Sequence, residues 1–99
     1  MTARLWRGWT AADGADEVVA YLREGPLARF SVAPGNISAE VLVRPLAGGV
    51  EILTLTVWET AEFVPADVEE RHELLVARQT LADSWEIPHP AGAAVARAA

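Results

Sequence analysis

The stretch "EVLVRPLAGGVEILTLTVWET", residues 40–60, reads as two strands folded back on a tight turn. Successive side chains of a strand point to opposite faces. After the turn, Leu53, Leu55 and Val57 therefore fall on one side, and Thr54, Thr56 and Trp58 on the other. Before it, Ile37, Ala39, Val41 and Val43 share one face, and Ser38, Glu40, Leu42 and Arg44 share the opposite one. "AGG" at 47–49 joins the strands, because glycine reaches the positive φ that a short antiparallel connection needs. One side of the second strand is plainly apolar. Its other side carries two hydroxyls and an indole, a mixture that suits neither open water nor a dry core and fits a small-molecule pocket.

Upstream, "ARLWRGW" at 3–9 alternates as a strand, and its tryptophans favour that state. "TAADGADE" supplies turn and cap residues. From Asp16 to Glu24 the residues Val18, Val19 and Leu22 form one helical stripe, with Asp16 and Glu17 near the positive end of the helix dipole. Gly25-Pro26 breaks the pattern, "LARF" adds a turn, and "APGN" at 33–36 turns the chain into the hairpin. Downstream, Asp67 and Glu70 have the spacing of a capping box. A helix over about 68–82 should follow, with Val68, His72, Leu75, Val76 and Gln79 along one side. "SWEI" at 84–87 closes the order as a strand before Pro88 and Pro90.

This order is β-α-β-β-α-β, the ferredoxin-like α+β arrangement, with a four-stranded antiparallel sheet covered on one face by its helices. Residues 1–89 form a single domain, and 90–99, "PAGAAVARAA", read as a flexible C-terminal tail. The other sheet face, with Leu53, Leu55 and Val57, is too apolar for solvent. A second sheet from a second chain is the economical cover, so a homodimer is expected. The 52% hydrophobic content of a 99-residue chain fits a second buried surface.

A net charge of −6 argues against nucleic acid, which needs clustered cations. All eight basic residues are arginines, and they are scattered. The sequence has no cysteine, no membrane-spanning run and no signal-peptide core, which points to a cytoplasmic protein with no membrane partner. No glycine-rich phosphate loop precedes a helix, and the serines lack a nucleophile-elbow context. His72 and His89 have no aligned carboxylates, so no metal site is expected.

"ARLWRGWT", "APGN...EVLVRPLAGGVEILTLTVWET" and "LADSWEI" together resemble the antibiotic biosynthesis monooxygenase family, small dimeric α/β-barrel proteins. The resemblance runs to about Pro88, and its most specific pieces are "PG" before the second strand and "WET" ending the third. It implies a ligand cavity inside each protomer, between sheet and helices, with the opposite sheet face forming the dimer barrel. Thr54, Thr56 and Trp58 would then line the cavity, and Leu53, Leu55 and Val57 the dimer face. The chain also departs from the family. Thr54 stands where polyketide oxygenases have an asparagine, and the link from Trp58 to the second helix is shorter. A closing-strand His-Tyr pair is replaced by Ser84-Trp85. Haem-degrading members carry an asparagine that the first strand here lacks, and a helix histidine from which His72 is displaced by about one turn.

The resemblance implies a cofactor-independent monooxygenase acting on an aromatic or polyketide-type small molecule. Trp58 would stack on the planar ligand and His72 would serve as general base. Thr54 and Thr56 would bind substrate. Trp6 and Trp9 straddle the first strand, so at most one faces the cavity; Arg7 lies on the side of Trp9, Arg4 on that of Trp6. Trp9 and Arg7 complete the substrate-binding set, the guanidinium stabilising an enolate or carboxylate. The plainer readings are a core indole at a strand end, a semi-core histidine and rim arginines packed on indoles. They correspond to a non-catalytic dimeric binding or structural module of the same fold. Haem binding through His72 is a third option.

Overall fold

The computed structural model describes residues 1–66, 70, 72–75 and 81–88. Four strands form one antiparallel sheet: β1 (Thr2–Thr10), β2 (Asn36–Leu46), β3 (Gly49–Trp58) and β4 (Leu81–Glu86). Their spatial order, β2-β3-β1-β4, is the ferredoxin-like one, and every neighbouring pair is antiparallel. Helices α1 (Ala15–Glu24) and α2 (Pro26–Ser31) cover one face. The chain is thus α+β, as its element order predicts.

The hairpin forms as read. Leu46 pairs with Gly49, and Gly48 takes φ 84° in the turn between them. Gly49 is needed for a different reason, since a Cβ there would lie 2.7 Å from the carbonyl oxygen of Thr10. β2 is an edge strand, which is why Pro45 is tolerated in it without a ladder donor. A bulge between Asn36 and Ser38 leaves Ile37 outside the pairing register.

Gly25 separates the two helices, and Pro26 opens α2, where its missing amide costs nothing. Val18 and Leu22 of α1 and Leu27 and Phe30 of α2 pack on Trp6, Ile52 and Trp58 of the sheet to make the core.

The region between β3 and β4 differs from the predicted helix over 68–82. Among the described residues, 73–75 form a turn, held by the Leu75 amide donating to the His72 carbonyl at 3.0 Å, and β4 already begins at Leu81. The sheet competes for this segment, because Leu81 and Ala82 stand opposite Arg7 and Trp6 of β1. Glu70, expected to cap that helix, instead meets Arg4, while Asp67 lies outside the described residues. So do Val68, Val76, Gln79 and the proposed tail at 90–99.

Gly35 sets one stability prediction. It adopts φ 78°, and a Cβ there would stand 2.2 Å from the Phe63 ring. Gly35→Ala is expected to destabilise the protein by about 2–4 kcal/mol, through left-handed strain plus overpacking. Phe63→Ala in the same chain should relieve the clash and leave the strain, recovering part of the loss in a urea melt.

Candidate functional site

On the helix side of the sheet, the even-numbered residues of β1 and β3 face the same way. Trp6 stands opposite Thr54, Arg4 opposite Thr56 and Thr2 opposite Trp58. Thr54, Thr56 and Trp58, expected on one face, do share it, and all three are fully buried. Trp58 donates its indole N–H to Thr56 Oγ1 at 2.9 Å, and Thr56 Oγ1 approaches the Arg4 carbonyl oxygen at 3.5 Å. Phe30 closes the other side of Trp58 edge-on, with centroids 5.9 Å apart and planes at 76°. Trp58 is therefore packed and polar-satisfied at the same time.

Thr54 differs from its neighbour. Its hydroxyl is buried and finds no hydrogen-bond partner among the described residues, and the same is true of Thr10 Oγ1. A buried hydroxyl in that condition costs roughly 1–3 kcal/mol. Val41 is the register neighbour of Thr54 on β2, and Ala39 that of Thr56. Both residues also line a groove of about 570 Å³ between the helices and the sheet edge, whose other wall includes Arg23, Leu27 and Ser31.

Arg7 and Trp9 are not part of this face. Their register partners are Leu53 and Glu51, so both project from the opposite side of the sheet. Arg4 and Trp6 take the inner positions instead, because the pairing puts the even residues of β1 beside the even residues of β3. The Trp6 indole lies over Gly8, where a Cβ would meet it at 2.6 Å.

Arg4 brings a charge into the site that sequence reasoning missed. Its guanidinium donates to both Glu70 oxygens, at 2.9 and 3.2 Å, and lies 5.5 Å from the Phe30 centroid. Both side chains are buried, at 5% and 0% exposure. The two residues are 66 positions apart, so no local pattern could have announced the pair.

His72 sits on the turn after Glu70 and packs against α1. Its ring meets Tyr21 edge-on at 5.2 Å, and its Nε2 lies 3.3 Å from a Glu17 carboxylate oxygen. Nδ1 accepts the Leu74 amide at 3.1 Å. This arrangement calls for the Nε2–H tautomer and engages both nitrogens. A haem iron would have to displace one of these partners, so the imidazole does not fit as a ready axial ligand. Among the described residues, no group of three or more His, Cys, Asp or Glu side chains stands where it could hold a metal ion. No helix among them is long and apolar enough to cross a membrane.

No family model and no curated protein matches the sequence. Solved structures do. One is a proposed antibiotic biosynthesis monooxygenase from Bacillus cereus, 16% identical, with a TM-score of 0.61 over 86% of this chain and 89% of that one. The chain has that protein's fold.

Proposed function

We propose that this chain is a cofactor-independent monooxygenase acting on an aromatic or polyketide-type small molecule, working as a homodimer. The observation that carries the reading is the Thr54 hydroxyl, buried without a partner among the described residues next to Val41, its cross-strand neighbour and a residue of the groove wall. A ligand hydroxyl or carbonyl arriving there would supply the missing bond, and the groove has the size of a small-molecule site, with Leu27, Ala39 and Val41 beside the polar Arg23, Ser31 and Glu40. In the reaction, an acidic ring carbon loses a proton and the carbanion passes an electron to dioxygen. Recombination forms a carbon–oxygen bond as a peroxide. Loss of water then leaves a carbonyl, with one oxygen atom in the product and one in water, so no outside reductant is needed. His72 is the base in this scheme, and to act it must exchange the Leu74 amide at Nδ1 for the substrate.

A second reading, a non-catalytic binding module, is favoured by the closed packing of Trp58 and by the two partners His72 already holds. The experiment that separates them is a screen of phenolic compounds by native mass spectrometry, followed by oxygen uptake with the binders. Thr54→Val is expected to raise apo stability by about 1 kcal/mol, because it removes an unsatisfied hydroxyl while keeping the shape. It should also weaken binding at least tenfold. Oxygen uptake that is lost in His72→Gln while binding persists supports the oxygenase. Binding with no uptake in the wild type supports the module, and Thr54→Val binding as tightly as wild type removes Thr54 from the site.

A further inference from the structure

Among the described residues nothing covers the sheet face away from the helices, and that face is mostly apolar. Leu5, Leu53, Leu55 and Val57 are only half-buried on it, while Leu42 and Trp85 are exposed at 46% and 58%. Arg7 stands within this apolar field, exposed, on the central strand β1. It makes no hydrogen bond or ion pair among the described residues. A surface that covers the leucines also covers Arg7, and burying a lone guanidinium is costly unless an anion comes with the cover.

In a self-complementary interface that anion must come from this same face. Among the described residues three carboxylates stand on it. Glu51 is already bonded to Arg44. Asp83 and Glu40 remain, at opposite ends of one cross-strand row that runs Asp83, Leu5, Leu55, Glu40. Neither has a partner among the described residues.

Register decides between them. Arg7 is on β1 beside Leu53, and Glu40 is on β2 beside Leu55. β3 lies between those strands, so a two-fold axis exchanging Arg7 and Glu40 passes over β3 between Leu53 and Leu55, at the centre of the apolar field. An axis exchanging Arg7 and Asp83 passes instead between β1 and the edge strand β4, to one side of the leucines of β3. Stacked sheets lie about 10 Å apart, a gap that an arginine and a glutamate bridge from opposite sides. Arg7 also lines a depression of about 300 Å³ with Leu42, Val43, Arg44, Glu51 and Leu53, in which the one carboxylate, that of Glu51, is bonded to Arg44.

We propose that this face docks on a second copy of the chain in the register that seats Arg7 against the partner's Glu40, twice over by symmetry. The inference rests on the homodimer of the preceding section and names what sets its register. Analytical ultracentrifugation across a concentration series tests it. Arg7→Glu and Glu40→Arg should each raise the dimer dissociation constant at least a hundredfold, and the combined variant should return to within tenfold of wild type. Asp83→Asn should leave it unchanged. Circular dichroism of the single variants checks that the monomers stay folded, as substitution at two exposed positions should allow. A wild-type dimer whose single variants associate normally, or whose charge swap fails to restore association, overturns the Arg7–Glu40 register and leaves the dimer standing. A wild-type chain that stays monomeric overturns both.

Discussion

Arg4→Met is expected to destabilise the protein by roughly 3–5 kcal/mol, because it leaves the Glu70 carboxylate buried without its guanidinium. Both groups are shut away from water, and the carboxylate receives two donated bonds from Arg4. A domain of this size has about 5–15 kcal/mol of stability in total, so one substitution removes a large share of it. The loss comes from stranding a charge, not from the pair itself being worth that much. Replacing both partners by apolar groups of similar volume is often neutral or better. Arg4→Met combined with Glu70→Leu should accordingly recover most of what either single change costs. Urea unfolding of the four proteins gives the coupling energy directly. If Glu70→Leu alone costs less than about 1 kcal/mol, the value typical of exposed pairs, then Glu70 is not held against β1 in solution. The pair also fastens the chain between β3 and β4 onto the sheet.

That contact shows where legibility in the sequence stops. The hairpin of β2 and β3 could be read because its information is local: strict alternation on both sides of a glycine turn. The inner face of β3 followed from the same alternation, so Thr54, Thr56 and Trp58 were found together. β1 was harder. Its strand character was plain, but its register against β3 is set across the whole intervening chain, and a slip of one residue exchanges its two faces. Trp6 with Arg4 and Trp9 with Arg7 present the same pair of residue types, three positions apart, on opposite faces. Choosing Arg7 and Trp9 for the cavity was a choice between equal local signals, and the pairing of Trp6 with Thr54 reverses it. Glu70 misled in another way. Its spacing from Asp67 imitates a helix cap, whereas its bond partner is at the other end of the chain. His72 is read from a helical stripe that the described residues do not form, and its neighbours are Tyr21 and Glu17 of α1.

Trp58→Ala should cost about 3–5 kcal/mol, the range for deleting a fully buried aromatic side chain. The indole fills the space between β3 and Phe30, and its N–H is tied to Thr56. Removing it opens a hole that the backbone of a paired strand cannot easily collapse. An apolar cavity of that kind stays dry and accepts a small aromatic guest. Indole added to Trp58→Ala is therefore expected to raise its melting temperature and to leave that of the wild type unchanged. Trp58→Phe separates packing from chemistry. It keeps most of the ring volume but leaves Thr56 without its indole donor, at a cost of about 1 kcal/mol. The protein stays folded, so its turnover can be compared with wild type at equal folded fraction. A drop in turnover of tenfold or more, with unchanged folding, makes Trp58 a group that meets the substrate. Unchanged turnover makes it a core residue, and the ligand site then moves along β3 to Thr54 and the groove that its neighbour Val41 lines.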